Sequence, residues 1–423
     1  MIKKIFPKGQ FTRNLITLMT GATIAQAVPL AIMPILTRIY SPEDFGLFAI
    51  YLAILSIISV AATGRYELSI MLPQEDADAR ILLQASVIIA FSISVILFIL
   101  MILFAETLSI FLGNSDIEKW LYLIPVAIFM NGLYQALIYW TNRQKKFKDN
   151  AVSRVNQSLS QGFFQTFFSL VKQSGGLILG QTLGIFFGTL YLSLKNKNYK
   201  YIISAISIKK IMFQLRRYSN FPKYSIGGAV CDSAAVQMPI LILTKYYSSA
   251  LTGMFSLTFK VLSIPSALIS SALTQVLFQK IVEINNTNPE RLHGFVCKVF
   301  IYLFIIFLPV IPLMWFFGED IFSFVFGEKW RVAGTYAGYL TIAVAVRFCI
   351  SPLSAIMTLN NNVKKGVVWQ ILYLVTITTT LLLSSKLNIE SFIQIYVIHE
   401  VILYFIYLIL ILRSSLGEKI CVE

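Results

Sequence analysis

The 423-residue chain is 57% hydrophobic, 14% aromatic and 13% charged, with a net charge of +15 and a mean hydropathy of +0.74. Soluble domains carry about 25% charged residues, so this composition excludes a water-soluble enzyme and describes a polytopic membrane protein. Four cysteines (Cys231, Cys297, Cys349, Cys421) show no CxxC spacing and the two histidines, His293 and His399, lie far apart, so no metal-ligand set and no cofactor is expected.

Apolar runs long enough to cross about 30 Å of hydrocarbon as helices predict twelve spans. The basic leader Met1-Ile2-Lys3-Lys4 precedes a run too long for a signal peptide and without a small-residue cleavage site, so span 1 (residues 12–36) is read as uncleaved. It carries Gln26, Pro29 and Pro34. Span 2 covers residues 45–63, with Arg65 and Glu67 just beyond it, and span 3 covers 80–104. Span 4 (119–140) holds Asn131 and Gln135, and span 5 (151–170) holds Asn156, Gln157 and Gln161. These amides could line a polar cleft or join helices. In span 6 (175–194) Gly176, Gly180, Gly184 and Gly188 recur every fourth residue, a small-residue face suited to close helix packing.

A basic stretch, 195–221, follows. Within it Lys209, Lys210, Arg216 and Arg217 oppose Ile211, Phe213 and Leu215, which reads as an amphipathic helix on anionic lipid or a plain basic linker. Span 7 (222–243) contains Asp232 and Pro239, span 8 (253–279) Lys260 and Pro265, span 9 (294–317) Pro309 and Pro312, and span 10 (332–357) Arg347 and Pro352. Span 11 covers 364–383, and span 12 (389–412) carries His399 beside Glu400. Each proline removes an intrahelical hydrogen bond and can kink its span.

Of the 35 Lys and Arg, 26 fall in the leader, the tail and alternate loops, whereas seven (Arg38, Lys119, Lys172, Lys245, Lys329, Arg331, Lys386) fall on the opposite side. The positive-inside rule then places both termini in the cytoplasm. It also explains the +15 charge without nucleic-acid binding.

At a fixed offset of about 207 residues, Thr37-Arg38-Ile39-Tyr40-Ser41 aligns with Thr244-Lys245-Tyr246-Tyr247-Ser248, and Gly46-Leu47-Phe48 with Gly253-Met254-Phe255. Six spans per half preserve orientation, so the repeat is parallel, with an axis along the membrane normal. The expected organisation is an N-terminal six-helix bundle (1–194), a basic linker (195–221) and a C-terminal bundle (222–423), with a cleft between the bundles.

Ionisable groups inside a span cost at least about 2.5–3.5 kcal/mol on insertion scales and are functional candidates by default. Asp232, Lys260, Arg347 and Glu400 stand out, all in the second half. Two readings stay open. They form ion pairs joining spans 7, 8, 10 and 12, or Lys260 and Arg347 attract an anion while Asp232 and Glu400 couple transport to protons or sodium.

The stretch from Pro34 to Gly46 (PILTRIYSPEDFG), the segment from Gly64 to Pro73 (GRYELSIMLP), Phe221-Pro-Lys-Tyr224, Gln237-Met-Pro-Ile240 and the run from Gly253 to Pro265 resemble bacterial O-antigen and capsular polysaccharide flippases. The resemblance spans essentially the whole chain. It implies an all-α membrane fold of two six-helix bundles around a V-shaped cavity, and alternating access across the bacterial inner membrane. The substrate it implies is an undecaprenyl-pyrophosphate-linked oligosaccharide. Membrane lipid, a coupling proton or sodium ion and other glycan-assembly membrane proteins are the implied partners. Charged cavity residues matter in that family, which points here to Arg65, Glu67, Asp232, Lys260, Arg347 and Glu400. Cations are sparse in these spans, suggesting a repeat unit with few acidic sugars.

Two rivals remain. A cationic-drug antiporter of the same fold would want an acidic cavity, against which Lys260 and Arg347 argue. A glycan polymerase or transferase would need a large exposed loop or a carboxylate–histidine cluster, of which His399-Glu400 is the only hint. No Walker A motif is present, so no hydrolytic motor is expected.

Overall fold

The computed structural model describes residues 10–171, 175–197, 199–203, 207–358 and 363–415, which form helices and no strand. Contacts within the chain divide it into two compact units, Met1–Ser233 and Ala234–Glu423.

The first unit contains α1 (Gln10–Ile39), α2 (Pro42–Ser59), α3 (Asp76–Leu112), α4 (Glu118–Leu121), α5 (Ile124–Arg143), α6 (Phe147–Leu170) and α7 (Gly176–Leu194). The linker residues form α8 (Tyr199–Ile203) and α9 (Ile208–Arg217). The long α10 (Asn220–Tyr246) passes into the second unit, which continues with α11 (Ser249–Thr287), α12 (Leu292–Phe307), α13 (Val310–Phe326), α14 (Arg331–Ile350), α15 (Val363–Ser384) and α16 (Ile389–Ser415). Every predicted span has a helical counterpart, with α4 and α5 sharing span 4 and α12 and α13 sharing span 9. Among the described residues eight helical stretches are long and apolar enough to cross a membrane, or nine if the pair bent by 50° at Tyr122–Leu123 counts as one. Thr23–Ile39 and Val368–Ser384 are shorter apolar helices.

The prolines act differently by position. Pro29, Pro34, Pro239 and Pro265 remain inside helices, whereas Pro309 sits at the break between α12 and α13 and Pro352 in the 3-10 stretch after α14. The glycine face of α7 packs on α6. A Cβ at Gly180 would lie 2.4 Å from Gln165 Cγ, at Gly184 2.7 Å from Gln161 Cβ, and at Gly188 3.0 Å from Gln157 Cβ. Gln165 is buried in that contact and donates from Nε2 to the Leu177 carbonyl at 3.0 Å.

The repeat has a structural counterpart in each unit. α1 ends at Ile39 and α2 begins at Pro42; α10 ends at Tyr246 and α11 begins at Ser249, the same spacing at the same offset. Ser41 caps α2 by accepting from the Asp44 amide, with Asp44 reciprocating in a capping box. Ser248 caps α11 by accepting from Leu251 N–H.

The basic linker is folded onto the first unit. Tyr201 packs on Trp140 with ring centroids 5.1 Å apart, Arg80 lies 4.8 Å over the Tyr201 ring, and Gln84 donates to the Tyr201 carbonyl. α9 buries Ile211 and Gln214, and Tyr66 donates to its Leu215 carbonyl. Ile208, Met212 and Phe213 stay exposed on it.

Candidate functional site

In the second unit α14 packs against α11, α13 and α16, which brings Arg347 of α14 beside Glu400 of α16. Arg347 Nε donates to Glu400 Oε2 at 2.6 Å, and the Glu400 side chain is fully buried. The guanidinium also donates to the Tyr373 and Tyr396 hydroxyls, while Tyr373 donates to Glu400 Oε1 at 2.7 Å. The guanidinium lies 5.4 Å from the Phe259 ring centroid and 5.6 Å from that of Tyr404. A desolvated ion pair is tolerable only when further hydrogen bonds satisfy both ions, and the tyrosines supply them. The opposite charges leave no net charge in the pair.

Arg347 also reaches a pocket of about 320 Å³, toward the lower end of the range for small-ligand sites. Phe259, Ser263, Ser266 and Ser270 of α11 line it, with Phe348 and Ser351. His399, adjacent to Glu400, is buried with Nδ1 3.8 Å from Glu400 Oε1. Neither of its ring nitrogens hydrogen-bonds a described residue.

Arg65 and Glu67 form a second charged site in the first unit. Residues Gly64 and Arg65 both take left-handed backbone conformations, φ 62° and 61°, turning the chain from α2 into a 3-10 segment, Tyr66–Met71. Glu67 is buried there, accepts a hydrogen bond from Thr63, and lies 3.9 Å from the Arg65 guanidinium. Burial pushes the Glu67 carboxyl above its ordinary value, and the Thr63 hydrogen bond and Arg65 charge only partly oppose this. Arg65 Nε also donates to Ser225 Oγ at 3.3 Å.

The other candidates scatter. Lys260 is half-buried on α11, next to Phe259, and Asp232 is exposed on α10. Gln26 and Asn131 are half-buried and Gln135 is exposed. Asn156 donates to the Phe187 carbonyl at 3.3 Å, and Gln157 packs against Gly188. The sequence reading missed Tyr373, Tyr396, Tyr404 and Phe259. Tyr396, Glu400 and Tyr404 follow one another at four-residue spacing, which puts them along one helix face, so that signal was available.

A family model described as polysaccharide biosynthesis protein matches residues 35–334. The succinoglycan biosynthesis transport protein ExoT of Rhizobium meliloti (strain 1021) is 22% identical over 374 residues, covering 84% of this chain and 70% of the relative. Among solved structures, the lipid II flippase MurJ in an inward closed conformation superposes with a TM-score of 0.74 at 14% identity, over 95% of this chain and 90% of its own. An inward-facing multidrug resistance transporter of the MATE family and MOP superfamily gives 0.65 at 15% identity, over 94% of each chain. At these identities the structural likeness is one of fold: an all-α, multi-pass membrane fold.

Proposed function

Because the chain belongs to the polysaccharide biosynthesis protein family, we propose that it is a flippase for undecaprenyl-pyrophosphate-linked oligosaccharide in the bacterial inner membrane. Both termini face the cytoplasm, and the substrate passes to the outer leaflet. A pyrophosphate and a string of sugar hydroxyls cannot cross hydrocarbon unaided, whereas the prenyl tail can stay in lipid beside an open cleft. Transport then needs a polar cavity, a cation for the phosphate and two access states. In this reading two bundles surround a V-shaped cavity and rock between those states.

One observation carries the mechanism: a buried Arg347–Glu400 pair borders a serine-lined pocket in a bundle that is otherwise mostly apolar. While Glu400 is ionised it neutralises Arg347. Protonating Glu400 releases the guanidinium charge for a phosphate, for which arginine is the better bidentate donor. This links substrate binding to a proton. Lys260, Asp232, Arg65 and Glu67 are the remaining charged candidates, and the exposed apolar residues of α9, flanked by Lys209 and Lys210, fit an anionic lipid surface.

Deleting the gene in its own bacterium should abolish the surface polysaccharide, and restoring wild type should recover it. Arg347→Ala and Lys260→Ala should each impair recovery while the protein remains in the membrane. Normal glycan with both variants would remove their role at the phosphate. Unchanged glycan on deletion, with altered sensitivity to cationic compounds, would favour a drug antiporter.

A further inference from the structure

Away from the charged network, three side chains meet where the first turn of α12 reaches the last turn of α16. His293 Nδ1 lies 3.1 Å from Ser415 Oγ and 3.4 Å from the Leu412 carbonyl oxygen. His293 Nε2 lies 3.7 Å from Cys297 Sγ, one helical turn along α12. Cys297 is neither fully buried nor disulfide-bonded.

Hydrogen-bond accounting assigns the imidazole tautomer. The Leu412 carbonyl can only accept. The Ser415 hydroxyl already donates its one proton to that carbonyl, at 2.7 Å, so its oxygen can only accept from histidine. Both neighbours of Nδ1 are therefore acceptors, and Nδ1 carries the ring proton. Nε2 is left with a lone pair, and the group facing it is the Cys297 thiol. The cluster thus has an oriented base in contact with a nucleophile, with a hydroxyl and a carbonyl fixing the base, the arrangement by which weak nucleophiles are activated.

We propose that Cys297 is a base-assisted thiol, and that this end of the α12–α16 contact is a modification site for low-molecular-weight disulfides. As Sγ attacks one disulfide sulfur, its proton passes to His293 Nε2. The S–S bond of the reagent breaks and the departing sulfur leaves as a thiol after taking up a proton, leaving a mixed disulfide on Cys297. The disulfide is the oxidant: Cys297 is oxidised to the mixed disulfide while the departing sulfur is reduced to a thiol, so no further oxidant is needed. Arg291 and Lys298, both exposed near the cluster in sequence, suit a negatively charged disulfide.

The test uses full-length protein in lipid nanodiscs with Cys231 and Cys421 replaced by serine, and an aromatic disulfide reagent as probe. Peptide mass spectrometry separates labelling of Cys297 from that of the buried Cys349. Cys297 should react, and His293→Gln should slow it at least about tenfold, a threshold set below the roughly 10²–10⁴-fold typical of general-base assistance. Ser415→Ala, which loosens the base without removing it, should slow it less. Equal rates in wild type and His293→Gln, or labelling confined to Cys349, would overturn the proposal. Should His293→Gln fail to fold, the wild-type S–H stretching band, isolated by subtracting the Cys297→Ala spectrum, decides. A band shifted by hydrogen bonding supports the contact, and a free-thiol band overturns it.

Discussion

An arginine and a glutamate brought to 2.6 Å inside a helix bundle must both be desolvated, and removing one partner strands the other. Breaking such a buried pair costs about 3–5 kcal/mol, whereas replacing both ions by apolar residues of similar volume is often neutral. Arg347→Ala or Glu400→Ala should therefore lower thermal stability in detergent by that order, and Arg347→Met with Glu400→Leu should recover most of it. If glycan export stays lost in the stable double variant, the charges act in transport; if export returns, they only hold α14 to α16. Glu67 gives a pH signature of known sign. Its raised value means the folded chain holds more protons than the unfolded one from about the ordinary 4.5 up to that raised value, so stability falls as pH rises through this interval. Glu67→Gln, which keeps an acceptor for Thr63, should flatten that dependence in thermal unfolding followed from about pH 4 to pH 8. Arg347 and Glu400 were legible as charges in apolar runs. Tyr373 was not, because it reaches them only when α15 packs beside α16.

At the scale of elements, close helix approach and capping carry the argument. A side chain at Gly180 would meet the Gln165 backbone nitrogen at 2.7 Å as well as its side chain, so Gly180→Leu must push α7 off α6. Over-packing of this kind costs about 1–3 kcal/mol, and a thermal melt of the purified variant should show the loss; an unchanged melt would mean the helices separate freely. Ser41→Ala and Ser248→Ala should each cost about 1 kcal/mol through the lost caps. Ser41 should cost the more, since its hydroxyl also donates to Asp44 Oδ2 at 3.1 Å. The four-residue glycine period and the span positions could be read directly, because each is a local pattern set by helix geometry. The ends of helices at Pro309 and Pro352 could not be separated from the internal prolines, because a kink and a stop start from the same missing hydrogen bond and differ only in what packs around them. The linker's docking through Tyr201 onto Trp140 was equally invisible, since the contact joins residues far apart in the chain.

Across the whole molecule, the α1–α2 and α10–α11 junctions share one spacing at the same offset as the two short sequence matches. The charge asymmetry makes a prediction about orientation. With native cysteines replaced, Ser115→Cys and Lys386→Cys should react with an impermeant maleimide on intact spheroplasts, and Lys148→Cys and Glu283→Cys only after lysis; the reverse pattern would invert the topology. Transport itself is tested most directly by reconstitution. Purified protein would be placed in liposomes carrying undecaprenyl-pyrophosphate-linked oligosaccharide from the source bacterium, and the fraction of glycan accessible to an external glycosidase followed over time. The account predicts that accessibility rises beyond the fraction initially exposed, faster with an imposed proton gradient, and that Arg347→Ala lacks the rise. Accessibility that stays at the protein-free level in every gradient, with correctly folded wild type in the vesicles, would contradict it.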